Sequence, residues 1–206
     1  MKKTSPPQAQ HGISLLESLI AIVVMSLGIL GILGMQMRTL NNTQTSLFRA
    51  QAIHLIEDLS ERMMANPNAF LNTNDYLTSW QNTPTPSSNC LSTACTSDAL
   101  AKFDLAQWKS QVRSRLPNGN ATVFLAPDET QDSNRRQLGV MISWRENENA
   151  AAEDTSFRTP IDASVGGGDN NQCPADQTCH LQYIPLVARC APYFAGGSAQ
   201  TFCPGS

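Results

Sequence analysis

Six cysteines, three histidines and one isolated glutamate are the residues of this 206-residue chain that offer chemistry. Cys90, Cys95, Cys173, Cys179, Cys190 and Cys203 all lie beyond an apolar run that begins at Ile13. An even set of thiols on one side of such a run reads as disulfides formed in an oxidising compartment. The tight spacings of Cys90/Cys95 and Cys173/Cys179 favour local loops and leave Cys190 with Cys203, while the pairing beyond Cys90 stays open. The histidines carry less. His11 precedes the apolar run, His54 falls beside a helical apolar stripe, and His180 follows Cys179. No local signature supplies the acid that orients a histidine in a Ser/His/Asp set. Cys173, Cys179, His180 and Cys190 lack the close cysteine knuckle of a zinc site, and no C-x-x-C or C-x-x-C-H occurs. Asp169-Asn170-Asn171 has neither the spaced acids nor the terminal glutamate of a calcium loop. The sequence therefore predicts no catalytic, cofactor-binding or metal residue, and no cofactor.

The glutamate is Glu17. A carboxylate in hydrocarbon costs about 3 kcal/mol at a helix centre and less near an end, so such a residue calls for a partner. The plain alternative is a side chain that snorkels to the headgroups of a simple signal anchor. Around it, Ile13 to Met35 is apolar apart from serines. At about 1.5 Å per residue this run makes roughly 34 Å of helix, enough to cross about 30 Å of hydrocarbon. Lys2 and Lys3 precede it, which favours a cytoplasmic N-terminus and export of the larger C-terminal part.

A secretory signal peptide loses its apolar stretch on processing. Here MKKTSPPQAQHG is polar throughout and ends at Gly12, so a cut after Gly12 removes a short basic leader and keeps the apolar helix. Ile13 becomes the first residue and Glu17 the fifth.

Beyond the run, Phe48, Ala52, Leu55, Ile56, Leu59 and Met63 recur at three- and four-residue steps, one apolar stripe on a continuing helix. Asn66-Pro67 supplies its stop. A helix from Ile13 to about Ala65 is roughly 80 Å long. Gly28, Gly31 and Gly34 fall on one side of it, suited to close helix approach or simply to the glycine content of membrane helices. Asn82 to Asn89 is a turn-rich link into the Cys90/Cys95 loop. Ser97-Asp98 is expected to cap a second helix to about Arg115, with Leu100, Phe103, Trp108 and Val112 facing inward. Ala121–Leu125, Leu138–Trp144 and Leu181–Arg189 read as strands, with Val140, Ile142 and Trp144 on one face. Glu146 to Gln172 reads as a long polar loop. A net charge of -3 with scattered Lys and Arg argues against nucleic-acid binding.

Gly12 followed by Ile13-Ser14-Leu15-Leu16-Glu17-Ser18-Leu19-Ile20-Ala21 resembles the class III signal of type IV prepilins and type II secretion pseudopilins. The resemblance implies cleavage between Gly12 and Ile13 by a membrane prepilin peptidase and N-methylation of Ile13. It also implies a pairing of Glu17 with the amino terminus of an adjacent subunit, which fixes axial register. The implied fold is α+β: a long N-terminal helix, its first half in the membrane, packed on a disulfide-bonded globular domain with an antiparallel β-sheet. The domains are then a leader over 1–12, a long helix over 13–65 with 13–37 transmembrane, and a periplasmic globular domain over 66–206.

Glu61 to Pro67, the Cys90/Cys95 loop leading into DALAKFDLAQWKSQVRSRLPNG, and Val140–Trp144 are similar to the PilV type of minor pilin, the type IV pilus modification proteins. That similarity implies a nonenzymatic single-pass subunit of the inner membrane that helps prime pilus assembly, with a place at the pilus tip or fibre surface open to it. Its partners would be other minor pilins, the major pilin, the prepilin peptidase, the inner-membrane assembly platform and the lipid bilayer. Major pilins often carry a proline where this chain has Gly28, Gly31 and Gly34, which argues against an abundant fibre subunit. The alternatives are a minor pseudopilin of a type II secretion system and, from a different class, a membrane-anchored periplasmic enzyme or binding protein.

Overall fold

The computed structural model describes residues 14–66, 69–70, 72–86, 88–126, 129, 135–146, 171–186, 191–195 and 198–202. The chain divides into two compact units, Met1–Gln44 and Thr45–Ser206. Helix α1, Leu15–Ala65, contributes to both.

In the first unit, Ser14 starts the helix. Its hydroxyl accepts the Leu16 N–H at 3.2 Å and its carbonyl accepts those of Glu17 and Ser18 at 3.0 and 3.2 Å, satisfying amides that have no partner inside the helix. The helix then runs through Leu, Ile, Val and Met without a proline. Its hydroxyls fold back on it: Ser26, Thr39 and Thr43 donate to the carbonyls of Val23, Met35 and Thr39 at 2.8, 3.0 and 2.9 Å. Each hydroxyl proton is thereby satisfied on the helix's own backbone. Every residue from Ser14 to Leu47 is exposed.

In the second unit, α1 buries Ala52, Leu55, Ile56, Leu59 and Met63, with half-buried Phe48 beside them. This is the apolar stripe read from the sequence, and each fully buried large side chain contributes about 1.5–3 kcal/mol. A short 3₁₀ turn, Thr73–Tyr76, leads to α2, Ser97–Arg115. Residue Thr96 rather than Ser97 is the cap of α2, and the Thr96 hydroxyl and the first-turn amides hold the Asp98 carboxyl below its ordinary range. Ser97 is drawn away because its hydroxyl donates to the Asn66 side-chain oxygen at 2.5 Å. Phe103, Trp108 and Val112 are buried as expected, but Leu100 is only half-buried and Leu105 takes the core position.

After α2 the chain turns through Pro117, Asn118, with φ 55, and Gly119. A Cβ at Gly119 would lie 2.5 Å from the Val112 carbonyl oxygen, so the turn closes only on glycine. It delivers the chain into β1, Asn120–Leu125, which pairs with β2, Gln137–Trp144, which pairs in turn with β3, Thr178–Pro185. All neighbours are antiparallel, in the order β1-β2-β3. Thr78 extends the β1 side through two backbone bonds to Val123, 3.0 and 2.9 Å.

Leu138, Val140, Ile142 and Trp144 join the core with α1 and α2, as their spacing predicts. The opposite face is covered too: Met141 packs with Trp80 and Phe124, beside Cys173, Cys179 and Leu181. There Phe124 lies over Gly139, and Tyr183 meets the Phe124 ring edge-on at 6.4 Å and 83°. These three residues face one another in the register of the three strands.

Strand β3 begins at Thr178 and ends at Pro185, not over Leu181–Arg189, because pairing with β2 carries it back to Thr178 opposite Trp144. A separate hairpin of β4, Ala191–Ala195, and β5, Ser198–Phe202, gave no sequence signal that was read as strand. Pro67 and most of the 146–172 loop lie outside the described residues.

Candidate assembly site and its supports

Glu17 occupies the first turn of α1, where a carboxylate complements the positive end of the helix dipole. Leu16, Ile20, Ala21 and Val24 surround it, and all are exposed. Its carboxylate has no partner among the described residues. Gly28, Gly31 and Gly34 meet nothing within 4 Å where a Cβ would be. The helix is long and apolar enough to cross a membrane, with a mean hydropathy of 2.5 over its best window. Gly12, Ile13 and His11 lie outside the described residues, as do Cys190 and Cys203.

Cys90 and Cys95 form a disulfide with Cα atoms 5.5 Å apart, and Cys173 and Cys179 form another with 5.9 Å. The first closes an exposed loop that a turn also holds. The Asn89 carbonyl accepts the N–H groups of Ser92 and Thr93 at 3.1 Å each, and the Asn89 side-chain oxygen accepts that of Leu91. The second packs on the Trp80 cluster, where the Trp80 indole donates to the Gln172 carbonyl at 3.1 Å. With both sulfurs bonded, the group of Cys173, Cys179 and His180 has no thiolate to give a metal. Among the described residues, no three His, Cys, Asp or Glu gather as metal ligands.

His54 is exposed, and its Nδ1 lies 3.2 Å from the Glu57 carboxylate. His180 is half-buried opposite Ile142, and burial, with the charge of Arg49 adding to it, pushes its imidazole below the ordinary value.

The second unit is pinned by polar groups that pattern reading passed over. The buried Asn66, just past the end of α1, donates to the Tyr76 hydroxyl at 3.0 Å and the Ser97 carbonyl at 2.8 Å. Burial, outweighing that bond, pushes the Tyr76 hydroxyl up to about 12. Arg62 bonds Asp58 at 2.9 Å on its own helix and reaches Asp104 of α2 at 3.5 Å. Burial pushes the Asp104 carboxyl up against the opposing pull of Arg62.

Lys109 is 1% exposed, and its ammonium donates to the carbonyls of Ser79 and Asn82, 2.5 and 2.6 Å, and to the Thr78 hydroxyl at 3.3 Å. Burial, and less strongly the charge of Arg113, pushes that amine down to about 8. The available signal was position. Asp104 and Lys109 stand on the same α2 stripe as Ala101, Leu105, Trp108 and Val112, and a charge on an apolar stripe must be paired when buried.

Residues 34–106 match the family model described as Tt1218-like, type IV pilin Tt1218, and residues 7–33 match that of the prokaryotic N-terminal methylation motif. No curated protein and no solved structure matches the chain significantly. The methylation motif spans Gly12, Ile13 and Glu17, while the pilin model spans the later part of α1 and enters α2. Type IV pilins are structural rather than enzymatic, and the motif with the apolar helix supports membrane anchoring. With the long helix, the antiparallel sheet and the disulfides, the fold is α+β and pilin-like, and the two matches support a type IV pilin with a prepilin methylation motif.

Proposed function

We propose that the chain is a minor pilin of the PilV type, cut after Gly12, methylated at Ile13 and held in the inner membrane by residues 13–37, with its 66–206 domain in the periplasm. It acts with other minor pilins and the major pilin to prime the fibre on the assembly platform, and a place at the tip follows from that role. It carries no catalytic centre.

One observation carries the reading: the methylation motif covers Glu17, the one carboxylate of a helix segment, Ser14 to Leu47, that is exposed throughout among the described residues. Apolar residues in such a segment find partners in lipid and in other helices. Glu17 then meets the amino group at Ile13 of a neighbouring subunit. Pairing neutralises two charges that are costly apart in hydrocarbon, so one axial position is favoured over others.

The test is intact N-terminal mass spectrometry of the membrane-extracted protein, with and without prepilin peptidase. A chain starting at methylated Ile13 only when the peptidase is present supports the reading. An unprocessed chain in both samples overturns it. Deletion then separates a pilus from a secretion machine: loss of pili with secretion intact is expected, and the reverse assigns the chain to the pseudopilins.

A further inference from the structure

Within the second unit, three contacts step along α1 and α2 in opposite directions. Asn66 donates to the Ser97 carbonyl at 2.8 Å, Arg62 reaches Asp104 at 3.5 Å, and Trp108 donates to the Leu55 carbonyl at 2.6 Å. The two helices are therefore antiparallel. From Trp108 on to Arg115, and from Leu55 back to Phe48, is about 10 Å in each case. The last turn of α2 thus comes level with the stretch of α1 at which the unit begins. The end of the sheet meets it there, since the Arg145 N–H, just past β2, donates to the Pro117 carbonyl at 2.9 Å.

Arg49, Arg113, Arg115 and Arg145 share this entry end. All are exposed, and none forms an ion pair among the described residues. Arg113 donates to the uncharged Thr83 hydroxyl at 3.1 Å. Elsewhere in the unit cations are matched: Arg62 with Asp58 and Asp104, and Lys102 with Asp75 at 3.3 Å. Two acids stand at the same end of the sheet. Glu146 accepts the Trp144 indole N–H at 3.2 Å, and Asp176 precedes Thr178, the partner of Trp144. The arginines outnumber them, while Glu61, Asp98 and Asp104 lie toward the opposite end. After burial, the charge of Arg113 is what pushes the Lys109 amine down, and no acid opposes it. Basic residues in a last turn suit the helix dipole. That accounts for Arg113 and Arg115 but not for Arg49 or Arg145, which come from other elements.

We infer that the entry end, through Arg113, Arg115 and Arg145, binds the anionic headgroups of the membrane in which the chain is anchored. The argument for lipid is the link. Residues 38–44 join the membrane run to the second unit, carry Arg38 and no acid, and span at most about 25 Å even fully extended. The end of the unit that the link enters is held within that reach of the headgroups, so a weak attraction acts at high effective concentration. Basic groups close to a bilayer are drawn to anionic lipid, and the attraction fades beyond a Debye length of about 10 Å. The inference rests on the pilin reading only for membrane anchoring.

The experiment places a fluorophore on the full-length protein through Ser114→Cys, between Arg113 and Arg115, or through Ala65→Cys at the far end of α1. Each is reconstituted in vesicles of phosphatidylcholine, or of phosphatidylcholine and phosphatidylglycerol in equal parts, both with a headgroup-borne nitroxide quencher. Expected is about twofold stronger quenching at position 114 in the anionic vesicles, lost at high salt, with no difference at position 65. Joint replacement of Arg113, Arg115 and Arg145 by Gln should abolish the difference, and joint replacement by Lys should keep it. Equal quenching in the two vesicles overturns the inference, whether a protein or the chain's own acids cover the arginines instead. A difference that survives the Gln replacements, or appears equally at position 65, also overturns it. So does inorganic phosphate that removes the difference when potassium chloride of equal ionic strength does not, because the arginines then hold free phosphate rather than lipid. Flotation keeps the two readings apart: a chain that floats with the vesicles and shows no difference leaves anchoring standing, and one that floats with neither overturns both.

Discussion

The indole N–H of Trp108 donates to the backbone carbonyl of Leu55 at 2.6 Å, with both side chains wholly buried. One residue of α2 is thereby fastened to the backbone of α1, across a separation of 53 positions. The bond and the ring area separate by substitution. Trp108→Phe keeps most of the area and loses the donor, and should cost about 1–2 kcal/mol. Trp108→Ala should cost about 3–5 kcal/mol. Denaturant midpoints of the detergent-solubilised protein measure both.

The stability of the second unit should peak near pH 10. Lys109 is pushed down from 10.5 to about 8, so between those values the unfolded chain binds more protons and stability rises with pH. Tyr76 is pushed up from 10.0 to about 12, so above pH 10 the unfolded chain loses a proton that the folded one keeps, and stability falls. Melting temperature measured from pH 7 to 12 should show the rise and the fall. Lys109→Met should flatten the rise, and Tyr76→Phe the fall.

Arg62 compensates the buried Asp104 carboxylate. Arg62→Ala should cost about 1–3 kcal/mol at neutral pH. Its removal lets the Asp104 carboxyl rise further, so the deficit shrinks as the pH falls and that carboxyl protonates. Adding Asp104→Asn should recover most of the loss. A double-mutant cycle with no coupling would show that the two side chains do not communicate.

Gly139 is the floor beneath the Phe124 ring: a Cβ there would stand 2.4 Å from it. Gly139→Val should cost about 1–3 kcal/mol despite valine's strand preference. Phe124→Ala in the same chain should return part of that by clearing the ring. Thermal melts of the two single variants and the pair decide it.

Glu17→Ala should leave membrane insertion intact, since it only makes the helix more apolar, and should abolish incorporation into the assembled complex. Fractionation with co-purification of the partner pilins reads both. Wild-type incorporation of the variant would remove Glu17 from the assembly mechanism.

The long helix was legible because two patterns coincide on it: an unbroken apolar run, then the Phe48 to Met63 stripe with Asn66-Pro67 at its end. Strands β1 and β2 were legible from β-branched and aromatic residues beside turn signals. The start of β3 was not, because Thr178 to His180 has no apolar alternation and gains its pairing only from β2. Nor was the polar framework. Asn66, Tyr76 and Ser97 meet across 31 positions, and Arg62 meets Asp104 across 42, separations at which residue type says nothing about contact. Lys109 and Asp104 stand on the apolar stripe of α2, a signal that marks both as charges in need of a partner but does not say which. Thr96 took the cap once Ser97 was drawn into a tertiary bond, and only the fold decides that competition.

Between Leu19 and Met35 the sole polar side chain is Ser26, and its hydroxyl is spent on the Val23 carbonyl. That stretch therefore offers a neighbour nothing to recognise but shape. Two such helices sliding past each other by a turn exchange one set of methyl groups for another, with little preference for where they stop. The apolar stretch can carry a subunit along its neighbours almost without friction, and the halt must be called from its ends.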